Sequence, residues 1–438
     1  MQKSNRWRLQ GKSFYKIFSE VFDPNEYPFS YGILSESIHS SWTKSLDWDL
    51  IRNNDSTFSS NALYYKGDVR NLLPLIRYSI RPFELWCEKY QILDSSSQQI
   101  FDRIKKYSIL IYTKFEEFYD GLTNESNYPN SEGKETSSHK GSSGEYEISE
   151  ILSKYDSNYL RQFLDSTETE ENTVTLTFYR DVAEILDILT RMRNFERNPT
   201  GFSLDDATIL GLLVNIWKLL KLTILIYKEE SAEFAPIPER VLFENAITAI
   251  YLLRSDKTIL EDFRLCSYRN RIEMLELLAT SETENFNNKA GKRLLCSINN
   301  KLALEGLENY DFEKQIKNNW RIQGKTFYEI FKEVVGAEHY PVIYGVPSDS
   351  VHGTWLDVKQ FSLDGNPKQG FLPIYKPLNM SFENVSLIVP LATLPFREWI
   401  ARVKLETTFL NKVLDFIDSI NGRLFEKYGK KLIYHKSA

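Results

Sequence analysis

Two serine–histidine pairs with the same spacing are the residues of this sequence that could carry out a reaction. Ser35 precedes His39 by four residues, and Ser348 precedes His352 by four, so each pair falls on one face of a helix. Two of the chain's five histidines occupy these matching positions. Because histidine is the commonest general acid or base near neutral pH, His352 and His39 are the candidate catalytic residues.

A structural role competes with the catalytic one, and we favour it. In this interpretation the serine caps the N-terminus of a helix, while the histidine and a tryptophan three residues later fix the turn to the core. No acidic residue at a diagnostic spacing orients either imidazole, so a serine nucleophile is not supported. The same residues stay candidates for binding a ligand: Tyr31, Ser35 and Trp42, and Tyr344, Ser348 and Trp355.

Two basic pairs lie beside tryptophans. The pairs are Arg8 with Lys12 and Arg321 with Lys325. A spacing of four would put each pair on one helical face, where it could hold a phosphate or an RNA backbone. Charged residues on an amphipathic helix more often form its solvated side, so the ordinary interpretation is preferred here.

A third candidate pair, Arg240 and Glu244, lies in the apolar run "PERVLFENAITAIYLL". Four residues apart on a helix, the two side chains would form an ion pair. If the helix is buried, the pair is either a polar anchor for neighbouring helices or the wall of a site. We find no glycine-rich phosphate loop and no paired metal ligands, so no cofactor and no metal site are expected.

The matching motifs belong to an internal duplication. A shift of 313 residues places Trp7 on Trp320 and Trp42 on Trp355, and 19 of the 36 positions between are identical. After compensating gaps, Pro82, Phe83 and Trp86 meet Pro395, Phe396 and Trp399 at the same offset. We name residues 1–120 the first copy and the residues from 320 onward the second copy. Such a repeat indicates a supersecondary unit.

Each copy is predicted to contain a helix, a turn, a second helix, an irregular stretch and a final helical pair. In the first helix Phe14, Tyr15, Phe18 and Phe22 recur at helical spacing and are expected in the core. Tyr-Pro followed by Tyr-Gly is expected to interrupt the helix. "TVTLTF", residues 173–178, alternates like a strand but has no evident partner. The predicted fold is all-α, a multi-helix bundle with a duplicated helical half-module.

Composition divides the chain into four predicted regions. Residues 1–120 form a partial copy of the helical module, 121–148 a flexible linker, 149–200 a connecting helical segment, and 201–438 the complete module. The linker prediction rests on residues 121–144, where Leu122 is the one aliphatic residue. The two copies are expected to pair within the chain on a common helical core.

Charge and cysteine content limit the function classes. The chain has 54 Lys and Arg against 60 Asp and Glu, a net charge of −6, which argues against bulk electrostatic coating of nucleic acid or membrane. Three widely separated cysteines indicate a reducing cytoplasm. Residues 209–227 approach membrane-spanning length, but Asn215, Lys218 and Lys221 near the middle favour a buried helix of a soluble bundle. No membrane partner is expected.

The residues also carry a resemblance. "PERVLFENAITAIYLL", "WRIQGKTFYEIF" and "YPVIYGVPSDSVHGTW" resemble a bacterial family of helical domains of unknown function. Its two hallmarks are an Arg-x3-Glu helix, matched by Arg240 and Glu244, and a Tyr-x3-Ser-x3-His turn-helix, matched by Tyr344, Ser348 and His352. The resemblance covers about residues 202–430, and the first copy matches only its second half.

The leading hypothesis is a soluble helical interaction or ligand-binding protein, in a setting of bacterial stress or defence, with an unknown protein partner or ligand. The alternative is a metal-independent ribonuclease related to defence-associated helical domains, with RNA as the partner. Those ribonucleases use an arginine that is separated from the histidine by four to six intervening residues. No arginine lies in the six positions before His352 or His39, and whether the protein is an enzyme stays open.

Overall fold

The computed structural model describes most of the chain: residues 12–22, 24, 27, 41–61, 72–90, 98–107, 109–110, 113, 141–155, 158–165, 173–229, 231–280, 289–351, 358–359, 362–366, 370–373, 383–405 and 407–435. The chain divides into two compact units. The larger unit is formed by Met1–Ala62 together with His139–Ala438, and the smaller unit by Leu63–Ser138. This division falls inside the first copy, whereas the sequence predicted a boundary near residue 120.

Helices dominate the described residues. In chain order they are α1 (Phe14–Val21), α2 (Trp42–Trp48), α3 (Leu72–Lys89), α4 (Gly141–Ser153), α5 (Asn158–Asp165), α6 (Thr173–Arg191), α7 (Leu204–Lys228), α8 (Pro236–Leu253), α9 (Lys257–Cys266), α10 (Arg269–Thr280), α11 (Lys289–Leu304), α12 (Glu313–Lys317), α13 (Phe327–Val334), α14 (Val346–Val351), α15 (Glu383–Arg402) and α16 (Thr407–His435). A π-helical turn, Pro341–Gly345, precedes α14. Two antiparallel hairpins complete the fold, β1 (Leu50–Arg52) with β2 (Phe58–Ser60) and β3 (Leu363–Asn366) with β4 (Gly370–Pro373). The predominantly α fold is confirmed.

Helix α7 has a buried apolar surface on most sides, as the sequence predicted for residues 209–227. Ser203 begins it as N-cap by accepting from the backbone N–H of Asp206, at 3.3 Å. By length and composition α7 could cross a membrane, but 67% of its most apolar stretch is buried. The Nζ of Lys218 donates to the Trp48 carbonyl at 2.8 Å and contacts the Asp49 carboxylate at 3.1 Å, because α2 packs beside it.

Helix α8 is the second central helix. Proline at its first position, Pro236, suits a helix start because that N–H would have no partner within the helix. From Val241 to Leu252 every residue is buried, since α7 and α15 cover it and α13 and α14 pack along it. Helix α15 in turn packs on α16, and α6 packs on α7, so α7 and α8 form the centre of the larger unit.

Equivalent residues of the two copies form equivalent local structure. Helices α1 and α13 have the same bounds after a shift of 313 residues, and Ser13 and Thr326 cap them in the same way. Lys12 contacts Glu20 at 2.6 Å, and Lys325 contacts Glu333 at 2.6 Å. The rings of Tyr15 and Tyr27 meet edge to face at 5.0 Å, as do those of Tyr328 and Tyr340.

The hairpins also correspond. Leu50 pairs with Ser60 in the first hairpin, and Leu363 pairs with Pro373 in the second, which is the same register at an offset of 313. The irregular stretch predicted for each copy therefore contains a short hairpin. No gap is needed between residues 50 and 60 and their counterparts, so any compensating gaps before Pro82 lie outside the hairpin.

Three local predictions differ from the structure. Residues 173–178 lie in helix α6 instead of a strand, because Thr175 and Phe178 are buried on the helical face that packs against the core. Phe18 is buried, but Phe14 and Tyr15 are about half exposed, so only part of the α1 stripe reaches the core. The end of the predicted linker, residues 141–148, lies in α4, since Ile148 and Ile151 anchor that helix by burial. The rest of the linker, up to residue 140, lies outside the described residues.

Candidate functional site

Helix α8 and the turn-helix of the second copy bring the two sequence hallmarks together. Arg240 on α8 donates from Nη2 to the hydroxyl oxygen of Tyr344 at 2.7 Å, across 104 positions of sequence. The Arg240 guanidinium carbon also lies 4.9 Å from the centroid of the Tyr344 ring. Arg240, Glu244 and Tyr344 are all buried. We call Arg240, Glu244, Tyr340 and Tyr344 the hallmark cluster.

Burial determines the electrostatics of the hallmark cluster. It is the largest cause that raises the pKa of Tyr344 far above its usual range; the Glu244 charge raises it further, and Arg240 opposes both. Burial likewise raises the pKa of Tyr340. Both phenols therefore stay protonated at physiological pH, and the Tyr344 oxygen can accept from Arg240 while its own proton is retained. Neither tyrosine is therefore in the deprotonated form that a general base requires.

Aromatic rings enclose the hallmark cluster on the side of α13. Tyr344 lies 4.8 Å from Phe327 and 5.0 Å from Tyr340, measured between ring centroids. Tyr340 meets Phe331 edge to face at 5.1 Å. Such contacts each stabilise by about 0.5–1.5 kcal/mol beyond burial of area. The arrangement braces the turn against α8, with Tyr344 in the hydrophobic core and Tyr340 packed against it.

Ser348 does not cap a helix. It is the third residue of α14 and is half-buried. The π-helical turn Pro341–Gly345 runs directly into α14, so there is no helix N-terminus at the serine for it to cap. The Tyr-Gly dipeptide, expected to interrupt the helix, lies within this same turn. The capping role assigned to Ser348 from the sequence is therefore wrong.

Several candidate residues lie outside the part of the chain that the structure describes. These are Arg8, Tyr31, Ser35, His39, His352 and Trp355. The catalytic or structural role of the two histidines therefore stays a prediction.

Trp42 is an anchor between distant parts of the larger unit. Its ring is fully buried, and its Nε1–H donates to the Glu305 carboxylate at 2.9 and 3.1 Å. The backbone N–H of Trp42 donates to Ser267 Oγ at 2.9 Å. Burial raises the pKa of Glu305, while the hydrogen bond from Trp42 lowers it. Nothing in the sequence pattern singled out Glu305, which is 263 residues away from Trp42.

The basic pair of the second copy does not lie on an α-helix. Arg321 and Lys325 flank a short 3-10 turn, Ile322–Gly324, and both have extended backbone. Left-handed backbone at Trp320 and Gln323 prevents a continuous helix there. Lys325 contacts Glu333 at 2.6 Å and lies 5.0 Å from the Tyr251 ring centroid. In the first copy Lys12 contacts Glu20, so both lysines have acidic partners.

A buried polar network joins α2 to the two central helices. Lys44 contacts Asp49 at 2.6 Å and also donates to Asn215, whose Nδ2 donates to Asn245 at 3.0 Å. Burial lowers the pKa of Lys44, opposed by the Asp49 charge. Sequence reasoning noted Asn215 as a polar residue in an apolar helix but could not identify its partners.

One surface cavity of about 390 Å³ lies between α10, α11 and α12, within the described residues. Its floor includes Leu302 and Phe312, and Glu276, Glu308 and Asp311 contribute carboxylates. Among the described residues, no group of three His, Cys, Asp or Glu side chains is arranged to hold a metal ion. The cavity is separate from the hallmark cluster in its lining residues.

Part of this chain matches a known protein family. Residues 206–369 match the model described as "Family of unknown function (DUF5677)". The match covers over a third of the chain and includes both hallmarks, but it is shorter than the 202–430 expected from the sequence. Searches of curated proteins and of solved structures gave no match. The segment from near the start of α7 to the turn after β3 is therefore similar to an uncharacterised domain family, and the similarity names no activity.

Proposed function

We propose that this protein is a helical interaction protein built on a duplicated half-module, and that its hallmark residues hold the module together. The hydrogen bond from Arg240 to Tyr344 carries this proposal. This bond uses one of the five N–H donors of the guanidinium, which also lies over the Tyr344 ring, so the contact supports a structural role for Arg240. The Arg-x3-Glu and Tyr-x3-Ser-x3-His segments then act as the two halves of an internal brace.

The duplication is supported by contacts 313 residues apart. Identical helix bounds, the lysine–glutamate pairs at the start of α1 and α13, and the matching hairpin registers all occur at this offset. Unrelated segments would not share a pairing register as well as a cap and an ion pair. We infer that one ancestral unit gave rise to both copies, and that the pairing of the two copies on one core serves assembly.

The competing function is a metal-independent ribonuclease that uses His352 and His39. The test is incubation of the full chain with labelled single-stranded RNA, in parallel with His352→Ala and the control His339→Ala, which changes an exposed histidine. We expect no cleavage by any of the three proteins, and a lower melting temperature for His352→Ala alone. Cleavage that His352→Ala abolishes, at an unchanged melting temperature, would overturn the proposal.

A second test addresses the brace directly. Arg240→Met removes the charged donor but keeps an apolar chain of similar length, so it should destabilise the larger unit by about 2–4 kcal/mol through the loss of a charged hydrogen bond in the core. The cytoplasmic location and the stress or defence setting remain part of the hypothesis, and fractionation of the native cell would test the location.

A further inference from the structure

The last two helices of each copy are joined by an ion pair at the same position but with opposite polarity. In the second copy Arg397 on α15 contacts Asp418 on α16 at 2.7 Å. In the first copy Glu84 on α3 contacts Lys105 in the helical segment 98–107. Glu84 and Lys105 lie 313 residues before Arg397 and Asp418. The two helical pairs therefore correspond in structure as well as in sequence.

The two helical pairs differ in how far their apolar side chains are buried. Six apolar residues of the first copy are between 38% and 64% exposed, and all six counterparts in the second copy are 6% exposed or less. The exposed residues are Phe83, Trp86, Tyr90, Ile100, Ile104 and Tyr107, which we call the exposed aromatic face. Their counterparts are Phe396, Trp399, Val403, Val413, Ile417 and Ile420. In the second copy these positions all belong to one hydrophobic core.

The spacing within each helix shows that these residues form stripes. Phe83, Trp86 and Tyr90 follow one another at i, i+3 and i+7, and the rings of Trp86 and Tyr90 lie 5.4 Å apart. Ile100, Ile104 and Tyr107 follow at i, i+4 and i+7. Residues at these spacings share one helical face. Each helix of the pair thus presents an apolar stripe of the kind that packs against another helix.

We propose that the exposed aromatic face is a self-association surface, on which a second copy of this chain packs its own face to form a four-helix arrangement. The inference rests on the proposed interaction function and names its partner. In a two-fold symmetric contact one patch meets itself, so a single apolar face suffices for both subunits. Four helices with apolar inner stripes form a bundle whose core is closed on all sides.

The area of the face is sufficient for a stable dimer. An aromatic or branched aliphatic side chain with half its surface exposed presents on the order of 100 Å². Six such residues, with the charged stems between them, give about 600–800 Å² on each partner, which is near the roughly 800 Å² of a standard interface. The apolar part of the face, about 600 Å², is at the upper end of the largest apolar patches on single chains, and patches of that size are often functional.

Charge also favours a copy of the same chain. The buried carboxylate of Glu84 already has Lys105 and Arg81 as partners, so association would not trap an uncompensated charge there. The two helices also carry side chains of both signs: Glu88, Lys89, Asp102, Arg103 and Lys106. A surface of mixed sign can meet its own copy without net repulsion.

Sedimentation analysis of the full chain across a concentration series tests the proposal. We expect a reversible dimer, and we expect Trp86→Asp and Ile100→Asp each to weaken dimerisation by about 30-fold or more, as at an interface hot spot. Helix content, measured by circular dichroism, should stay unchanged. The control is Leu372→Asp, which changes an apolar residue of β4 that is 72% exposed, and this variant should dimerise normally.

Two outcomes would overturn the self-association proposal. A chain that is monomeric up to high micromolar concentration would do so, whether the face is open, covered by another part of the same chain, or reserved for a different protein. A dimer that both aspartate variants leave intact would place the interface elsewhere. Neither outcome depends on RNA cleavage, so failure here is distinguishable from failure of the proposed interaction function.

Discussion

The final helical pairs of the two copies have corresponding sequences and a shared ion-pair position but opposite surroundings. Trp399 is fully buried, whereas its counterpart Trp86 is more than half exposed. The hairpins show the reverse pattern: Phe58 is buried and bridges to Phe202 beside α7, while Phe371 of the second hairpin is half-buried and Leu372 is exposed. Burial in a repeat is therefore set by the neighbours that the chain supplies, and each copy gives a different part of itself to α7 and α8.

The largest expected effect separates the two tryptophans. Trp399→Ala should destabilise the protein by about 3–5 kcal/mol, because it opens a cavity in a closed core. Trp86→Ala, measured in dilute protein, should change the free energy of unfolding by less than about 1 kcal/mol. Chemical denaturation of both variants checks the difference. Equal losses would mean that the two helical pairs are equally covered.

The pH dependence of stability measures how completely the N-terminal end of α8, which carries Glu239, is shielded from water. Burial raises the pKa of Glu239 to about 7, opposed by its hydrogen bond with Tyr227. The folded-state pKa of Glu239 lies above the unfolded value of about 4.5. The contribution of this carboxyl to the free energy of unfolding is therefore fully present below about pH 4.5 and is lost as pH rises through about 7. Glu239→Gln should remove this loss, so the variant gains on the native protein by up to about 3 kcal/mol between pH 5 and pH 8.

The matched control for that experiment is Glu313→Gln, which removes one exposed negative charge from α12. Urea unfolding at both pH values measures each difference. A gain for Glu239→Gln that is the same at pH 5 and pH 8 would show that the carboxyl is not desolvated, and that this end of α8 is as open as the exposed aromatic face.

Two glycine substitutions test how closely α2 of the first copy packs against α7. A Cβ on Gly211 would lie 2.4 Å from Ser45 Cβ of α2, so Gly211→Ala should push the helices apart and cost about 1–3 kcal/mol. Gly422 in α16 has open space around its Cβ position, and Gly422→Ala should instead stabilise by about 0.5–1 kcal/mol. Thermal melts of the two variants should therefore shift in opposite directions. A neutral Gly211→Ala would contradict the close contact.

The smallest expected effect comes from the inverted ion pair. Arg397→Glu places three negative charges together with Asp415 and Asp418 and should cost about 1 kcal/mol. Adding Asp418→Lys restores opposite charges in the polarity of the first copy and should recover more than half of the loss. A double-mutant cycle measures the coupling. No recovery would mean that the two ion pairs are not structurally equivalent.

Local signals explain which parts of the fold were predictable. The α7 prediction succeeded because a long, predominantly apolar stretch has few alternatives to a buried helix. The hairpins were not predicted because strands of three or four residues carry little pattern, and Phe58 makes its further backbone hydrogen bonds with Phe202. The cap at Ser348 was wrong because a π-helical turn cannot be distinguished from a helix start by residue type.

For the hallmark cluster, the sequence singled out Arg240, Glu244 and Tyr344 but not the contacts between them. Arg240 and Tyr344 each stood out, yet only the packing of the turn-helix on α8 joins them. Likewise Trp42 was marked by its repeat position, while its partner Glu305 was not marked by any motif. Contacts between residues a hundred or more positions apart depend on tertiary packing, which spacing along one helix does not encode.

The bond between Trp42 and Glu305 has a consequence for biosynthesis. The tryptophan leaves the ribosome 263 residues before the carboxylate that receives its indole proton. At about 5–20 residues per second, that delay lasts roughly 13–50 s. During this time the first segment of the nascent chain lacks its final partner and exposes aromatic side chains. Early synthesis of this protein is thus the stage at which a chaperone would be needed most.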